Sequence, residues 1–197
     1  VSSLEKVIGK KVCVLGRDGV ESERLVKESR AGDVCLLVYG APLFATTHMT
    51  LIEDCRKAKV KVGVIYGSSV FDAIAESGLQ LYKFGKISSM PKWEKNFSPD
   101  SFLDYVVENS KIGAHSLILV DIGLDFSSAL EELVESSRGQ GLKIGKVIVC
   151  SQLGFKSKFY YGLISGLKKL KVKAPFCFII PGKMHFAEEA VVDGFEV

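Results

Sequence analysis

Val34-Cys35-Leu36-Leu37-Val38-Tyr39-Gly40-Ala41-Pro42 is the stretch from which the fold is read. An uncharged apolar run enters a Gly/Pro turn, and Thr46-Thr47-His48 then leads into a helical pattern from Thr50 to Lys57. A strand that is apolar at nearly every position is one covered on both faces, as in the sheet of an α/β protein. Open α/β sheets build ligand sites at the carboxyl ends of their strands, where this turn lies. Gly40 would let a ligand approach the backbone, and Thr46 and Thr47 could cap the next helix or donate hydrogen bonds. A plain strand-turn-helix connection accounts for the same residues without any ligand.

Working outward, β-rich runs recur at Lys11–Leu15, Val60–Tyr66, Ser116–Val120, Lys143–Cys150 and Phe176–Ile180. Between them lie helical spacings: Leu103, Val106 and Val107 follow a capping Ser101, and Leu130 and Leu133 stand among Glu131, Glu132 and Glu135. This alternation predicts an α/β fold. A second strand-to-helix junction falls at Val64-Ile65-Tyr66-Gly67-Ser68-Ser69-Val70-Phe71. Its serines suit a helix N-cap, and its N–H groups would equally suit a carboxylate or a ribose hydroxyl. The turn-rich stretch from Phe84 to Asp100 predicts a break between an N-terminal α/β domain, 1–84, and a C-terminal one, 85–197. A further loop is expected from Ser136 to Gly141, and no internal repeat is found.

The 197 residues are 47% hydrophobic and 25% charged, which suits a globular protein with a substantial core. No apolar stretch approaches the roughly 20 residues that span a bilayer, and no signal-peptide pattern opens the chain, so a soluble protein without membrane contact is expected. The 26 basic residues exceed the 23 acidic ones by only three, so direct nucleic-acid binding is not expected. The densest basic stretch, Lys168, Lys169, Lys171 and Lys173 with Lys156 and Lys158 upstream, reads as a solvated helix end or as a face for an acidic or RNA-associated partner. The five cysteines are dispersed, with no CxxC pair and no zinc spacing, which fits a reducing, cytoplasmic setting.

The most distinctive string is Gly78-Leu79-Gln80-Leu81-Tyr82-Lys83-Phe84-Gly85-Lys86. It holds no nucleophile with a base, no metal spacing and no nucleotide-binding glycine pattern. It closely resembles the GLxxYKFGK string of the diphthine synthases. Other features of that family occur here in order. Gly40 to His48 resembles its GDPLVATTH turn, and Ser68 to Ala73 resembles its PSxYSA junction. Val120-Asp121 is similar to its LD pair, Ser151 to Gly154 to its Arg-x-Gly turn, and Pro181-Gly182-Lys183-Met184-His185 to its PGKLH. The resemblance covers nearly the whole chain. Because the chain opens on Val1 and its first strong strand follows Gly9, the family's glycine-rich first strand is expected to be missing.

The resemblance implies two α/β domains of the tetrapyrrole methylase-like kind with S-adenosylmethionine in the cleft between them, leaving S-adenosylhomocysteine as product. It implies a cytoplasmic homodimer that methylates the amino group of the modified histidine of translation elongation factor 2, in diphthamide biosynthesis. Carried over position by position, cofactor contacts fall on Ala41, Phe44, Ser69, Val70, Val120, Leu153 and Phe176. Ala41 stands where the family has Asp, Phe176 where it often has His, and Gln152 where Arg is common. Neither a catalytic side chain nor a metal ligand is expected, because a sulfonium is already an activated methyl donor. His48 and His185 would shape the cleft, and His115 would be a surface residue. Two other readings stand beside this one: a non-catalytic homologue that binds the same partner, and a small-molecule methylase, against which the YKFGK string argues.

Overall fold

A computed structural model describes every residue, 1–197. The chain forms two compact units, 1–69 and 70–197. The larger unit is built on a five-stranded mixed sheet of β1 (Ser88–Met90), β2 (Ser116–Val120), β3 (Val147–Ser151), β4 (Lys158–Gly162) and β5 (Phe176–Ile180), in the order β1-β2-β5-β3-β4. β1 runs parallel to β2, and the other neighbours are antiparallel.

Strand β5 shows why the sheet is covered on both sides. Phe176 and Phe178 face one core cluster while Cys177 and Ile179 face the other, as the two-residue period of a strand requires. On the first face lie Phe102, Leu103 and Val106 of helix α6 (Phe102–Lys111) and Ala129, Leu130 and Leu133 of helix α7 (Phe126–Gly139). On the second lie Ile74, Leu79 and Val192. Removing a side chain such as Phe178 from water contributes about 1.5–3 kcal/mol, and Phe178 is fully buried. Helix α7 begins at Asp125, whose carboxylate accepts from the Ser128 N–H at 3.1 Å, and it continues to Gly139 through part of the expected 136–141 loop. Residues 70–84, grouped by the sequence with the N-terminal half, bury Ile74 and Leu79 in this second core.

The smaller unit carries four helices: Ser2–Ile8, Arg17–Val20, Arg24–Glu28 and His48–Lys57. Its three expected strands, Lys11–Leu15, Val34–Tyr39 and Val60–Tyr66, join no ladder. Leu37, Tyr39 and Ile65 are 50%, 77% and 92% exposed, and only Leu25, Val26 and Cys55 form a buried apolar set in this unit. Apolar composition alone does not make a strand, because a strand also needs a neighbour for its N–H and C=O groups. Thr47 stands at the N-cap of the last helix but gives no side-chain cap, since its hydroxyl donates to Glu21 Oε1 at 2.8 Å. No helix is long and apolar enough to cross a membrane.

Candidate functional site

The pairing of the large sheet brings one set of chain positions to a single end. Val120 closes β2, one step beyond the Leu119–Cys177 pair, and Phe176 opens β5 opposite Ser151. Leu153 follows Ser151 in a turn where Gln152 takes φ 52°, held by a 2.8 Å bond from its N–H to Pro175 O. Val70 and Leu153 both pack on the second core cluster, and a Cβ placed on Gly154 would touch Ala73 Cβ at 3.9 Å. Val120 and Phe176 therefore lie on the first-cluster face at the end where β1, β2 and β3 finish, whereas Val70 and Leu153 pack on the second cluster. Val70, Val120 and Leu153 are half-buried. Phe176 is only 8% exposed and packs edge-on against Phe126 at 5.5 Å and Phe178 at 5.8 Å.

Ala41, Phe44 and Ser69 belong to the smaller unit. Their two loops meet there: a Cβ on Gly67 would lie 3.3 Å from Gly40 O. The first loop closes on itself through His48 Nδ1 and Pro42 O, 2.6 Å apart, and through the Phe44 N–H to Ala41 O at 3.3 Å.

The sequence gives no warning of a buried ionic centre in the larger unit. Glu188, 1% exposed on helix α9 (Phe186–Val192), accepts from the Gln80 N–H at 2.9 Å, the His185 N–H at 2.7 Å and the Lys83 ammonium, with His115 Nε2 at 3.2 Å. His115 is fully buried, not a surface residue as expected. Its Nδ1 accepts from the Gly182 N–H at 2.9 Å, so Nε2 carries the proton and donates to Glu188. Burial pushes the Glu188 carboxyl up, but the Gln80 N–H, Lys83, the His185 N–H and His115 together bring it down to about 2. Burial holds the His115 imidazole below its ordinary value despite the pull of Glu188.

This centre explains the two strings whose chemistry was opaque. Lys83 of YKFGK and Gly182 and His185 of PGKMH are tied together through Glu188 and His115. The glycines have steric reasons: a Cβ on Gly85 would lie 2.1 Å from Asn109 Oδ1, and one on Gly182 would lie 2.4 Å from the carbonyl oxygens of Gly113 and Ala114. His185 is exposed and caps α9 by accepting from the Ala187 N–H at 3.3 Å. The signal was unreadable locally because Glu188 lies 73 residues from His115 and 105 from Lys83.

A mixed sheet covered on both faces by helices and apolar clusters defines an α/β protein. A family model described as Tetrapyrrole (Corrin/Porphyrin) Methylases matches residues 9–165. The diphthine synthase of Methanococcus aeolicus is 36% identical over 203 residues, which cover 96% of this chain and 79% of that protein. A solved diphthine synthase superposes with a TM-score of 0.86 at 25% identity, covering 100% of this chain and 79% of that one. A structure from Entamoeba histolytica, assigned to the same activity, gives 0.88 at 28% identity, with coverage of 100% and 82%. The chain belongs to the tetrapyrrole methylase family, among its diphthine synthases.

Proposed function

We propose that this methyltransferase takes its methyl group from S-adenosylmethionine and places it on the amino group of the modified histidine of translation elongation factor 2, in diphthamide biosynthesis. What supports the reading is 36% identity to a diphthine synthase over 96% of the chain, with Val70, Val120 and Leu153 half-buried in the larger unit. Half-buried apolar side chains beside backbone polar groups suit an adenosine-bearing cofactor, so the residues present fit the group. The cofactor contacts that the resemblance implies are Ala41, Phe44, Ser69, Val70, Val120 and Leu153. Phe176, packed among Phe126 and Phe178, would act through its backbone and as a wall. The reading brings with it a cytoplasmic homodimer.

The bound cofactor supplies an electrophilic methyl on a sulfonium. The protein's part is to fix the acceptor amine in line with that methyl and to exclude water, which also favours the neutral amine. No side chain need attack or be attacked. Ala41 removes a carboxylate that family members place in this turn, at a cost of about 1.5–3 kcal/mol if that carboxylate bonds a ligand group. That is roughly ten- to a hundredfold in affinity.

The test is calorimetric titration of the chain with S-adenosylhomocysteine, with and without Ala41→Asp, followed by methyl transfer to diphthamide-intermediate elongation factor 2. Micromolar binding strengthened by Ala41→Asp, together with transfer, is expected. Binding without transfer would favour the non-catalytic homologue, and no binding in either form would overturn the cofactor reading.

A further inference from the structure

The β3–β4 hairpin and the segment that returns past it, 168–175, enclose a concavity of about 280 Å³. Four lysines line it, Lys156, Lys158, Lys171 and Lys173, together with Tyr160 and Gln152. Leu170 and Val172 pack into the first core cluster, so Lys171 and Lys173, one residue out of phase, point away from it. Lys158 and Tyr160, two apart on edge strand β4, share a face in the same way. The returning segment is pinned to the hairpin by Ser151 Oγ to Lys173 O at 2.6 Å, by the Gln152 N–H to Pro175 O at 2.8 Å and by Gln152 Nε2 to Ala174 O at 3.3 Å. The two lysine pairs are thus held on a fixed frame.

The charge is uncompensated. No carboxylate lines the concavity, and none of the four lysines is in an ion pair, while Lys156 Nζ lies 5.4 Å from the centre of the Phe155 ring. Elsewhere in the same unit Lys83, Lys86 and Lys146 each hold a glutamate: Glu188, Glu108 and Glu196. Like charges lining one concavity repel, and an anion of matching charge relieves that repulsion. Ammonium groups are compact point charges that serve phosphate oxygens well. Two phosphate groups carry roughly −3 to −4 at neutral pH, which balances four ammoniums. A concavity this small takes a short oligophosphate, whereas an acidic peptide or a nucleic-acid strand would engage an extended face.

We propose that Lys156, Lys158, Lys171 and Lys173 form a binding site for a small anion carrying two or more phosphate groups. The site is argued from its lysines and does not rest on the methyl-transfer reading; its Tyr160 packs on the first cluster, as Val120 and Phe176 do. The phosphates could belong to a nucleotide or to free oligophosphate, and both present the same chemistry.

Calorimetric titration of the whole chain tests it, with inorganic tripolyphosphate, a nucleoside triphosphate, a single-stranded RNA 12-mer and oligoglutamate as separate arms at low salt. Saturable one-to-one binding of tripolyphosphate is expected, weakened at least about tenfold by the double substitution Lys158→Gln/Lys171→Gln and unchanged by the exposed control pair Lys92→Gln/Lys95→Gln. Equal affinity for the triphosphate assigns the phosphates alone, and tighter triphosphate binding lost in the same double variant assigns a nucleotide. Both outcomes support the site. Absence of saturable binding, equal loss in the control pair, or stronger binding of oligoglutamate or RNA than of either phosphate ligand would overturn it.

Discussion

Glu188 gathers four donors around a carboxylate that is almost fully buried, and its ionised form is what the surrounding fold requires. Its folded value of about 2 lies below the ordinary 4.5, so its stabilising contribution is complete above about 4.5 and is lost as pH falls from there towards 2. The depressed His115 works in the same direction from a higher starting point. As pH drops below the ordinary 6.5, the unfolded chain takes up that proton first and stability declines. Glu188→Gln leaves the Lys83 ammonium without its partner and sets an amide N–H₂ against donors, for a loss of about 3 kcal/mol at neutral pH. Urea midpoints at neutral pH and near pH 3 should therefore show a lower but flatter pH profile for the variant. A variant curve that runs parallel to wild type would mean that the carboxylate does not carry the acid sensitivity.

At the scale of elements, the segments 78–86 and 181–188 are docked by close backbone approach as much as by charge. Gly182→Ala would drive a methyl into two carbonyl oxygens that belong to the backbone and cannot swing aside. We expect a loss of about 3 kcal/mol in urea denaturation. Gly145→Ala, with open space around its Cβ, should stay within about 0.5 kcal/mol of wild type. Equal effects would refute the steric account. The same scale shows what the sequence could reveal. Strands β2 and β5 coincide with their apolar runs because both faces are buried. The short strand β1, Ser-Ser-Met, and the edge strand β4, with Lys158 and Gly162, carry no such mark and were not expected. The second core cluster, on which Val70 and Leu153 both pack, and the Glu188 centre join residues far apart in the chain. The family resemblance could nominate Val70 and Leu153, but no local pattern could show that both pack on one cluster or reveal Glu188 at all.

For the whole molecule, the two units differ in how they satisfy their backbones. Residues 70–197 hold every ladder and both large core clusters, whereas the apolar runs of residues 1–69 form no strand and are largely exposed. Amide exchange reads this directly, because protection tracks the free energy of opening each hydrogen bond. Amides of β5 should exchange only through global unfolding, at least about a thousandfold slower than free peptide. Those of 34–39 and 60–66 should exchange at nearly unprotected rates. Protection of the two runs comparable to β5 would mean that they acquire ladder partners in solution, and the unpaired account of the smaller unit would fail. Exposed Leu37, Tyr39 and Ile65 make this the region where added S-adenosylhomocysteine should change exchange most, since Ala41, Phe44 and Ser69 follow those runs directly. Slowing in the 40–48 and 66–69 loops, with β5 unchanged, is the pattern a cofactor held by those residues would produce.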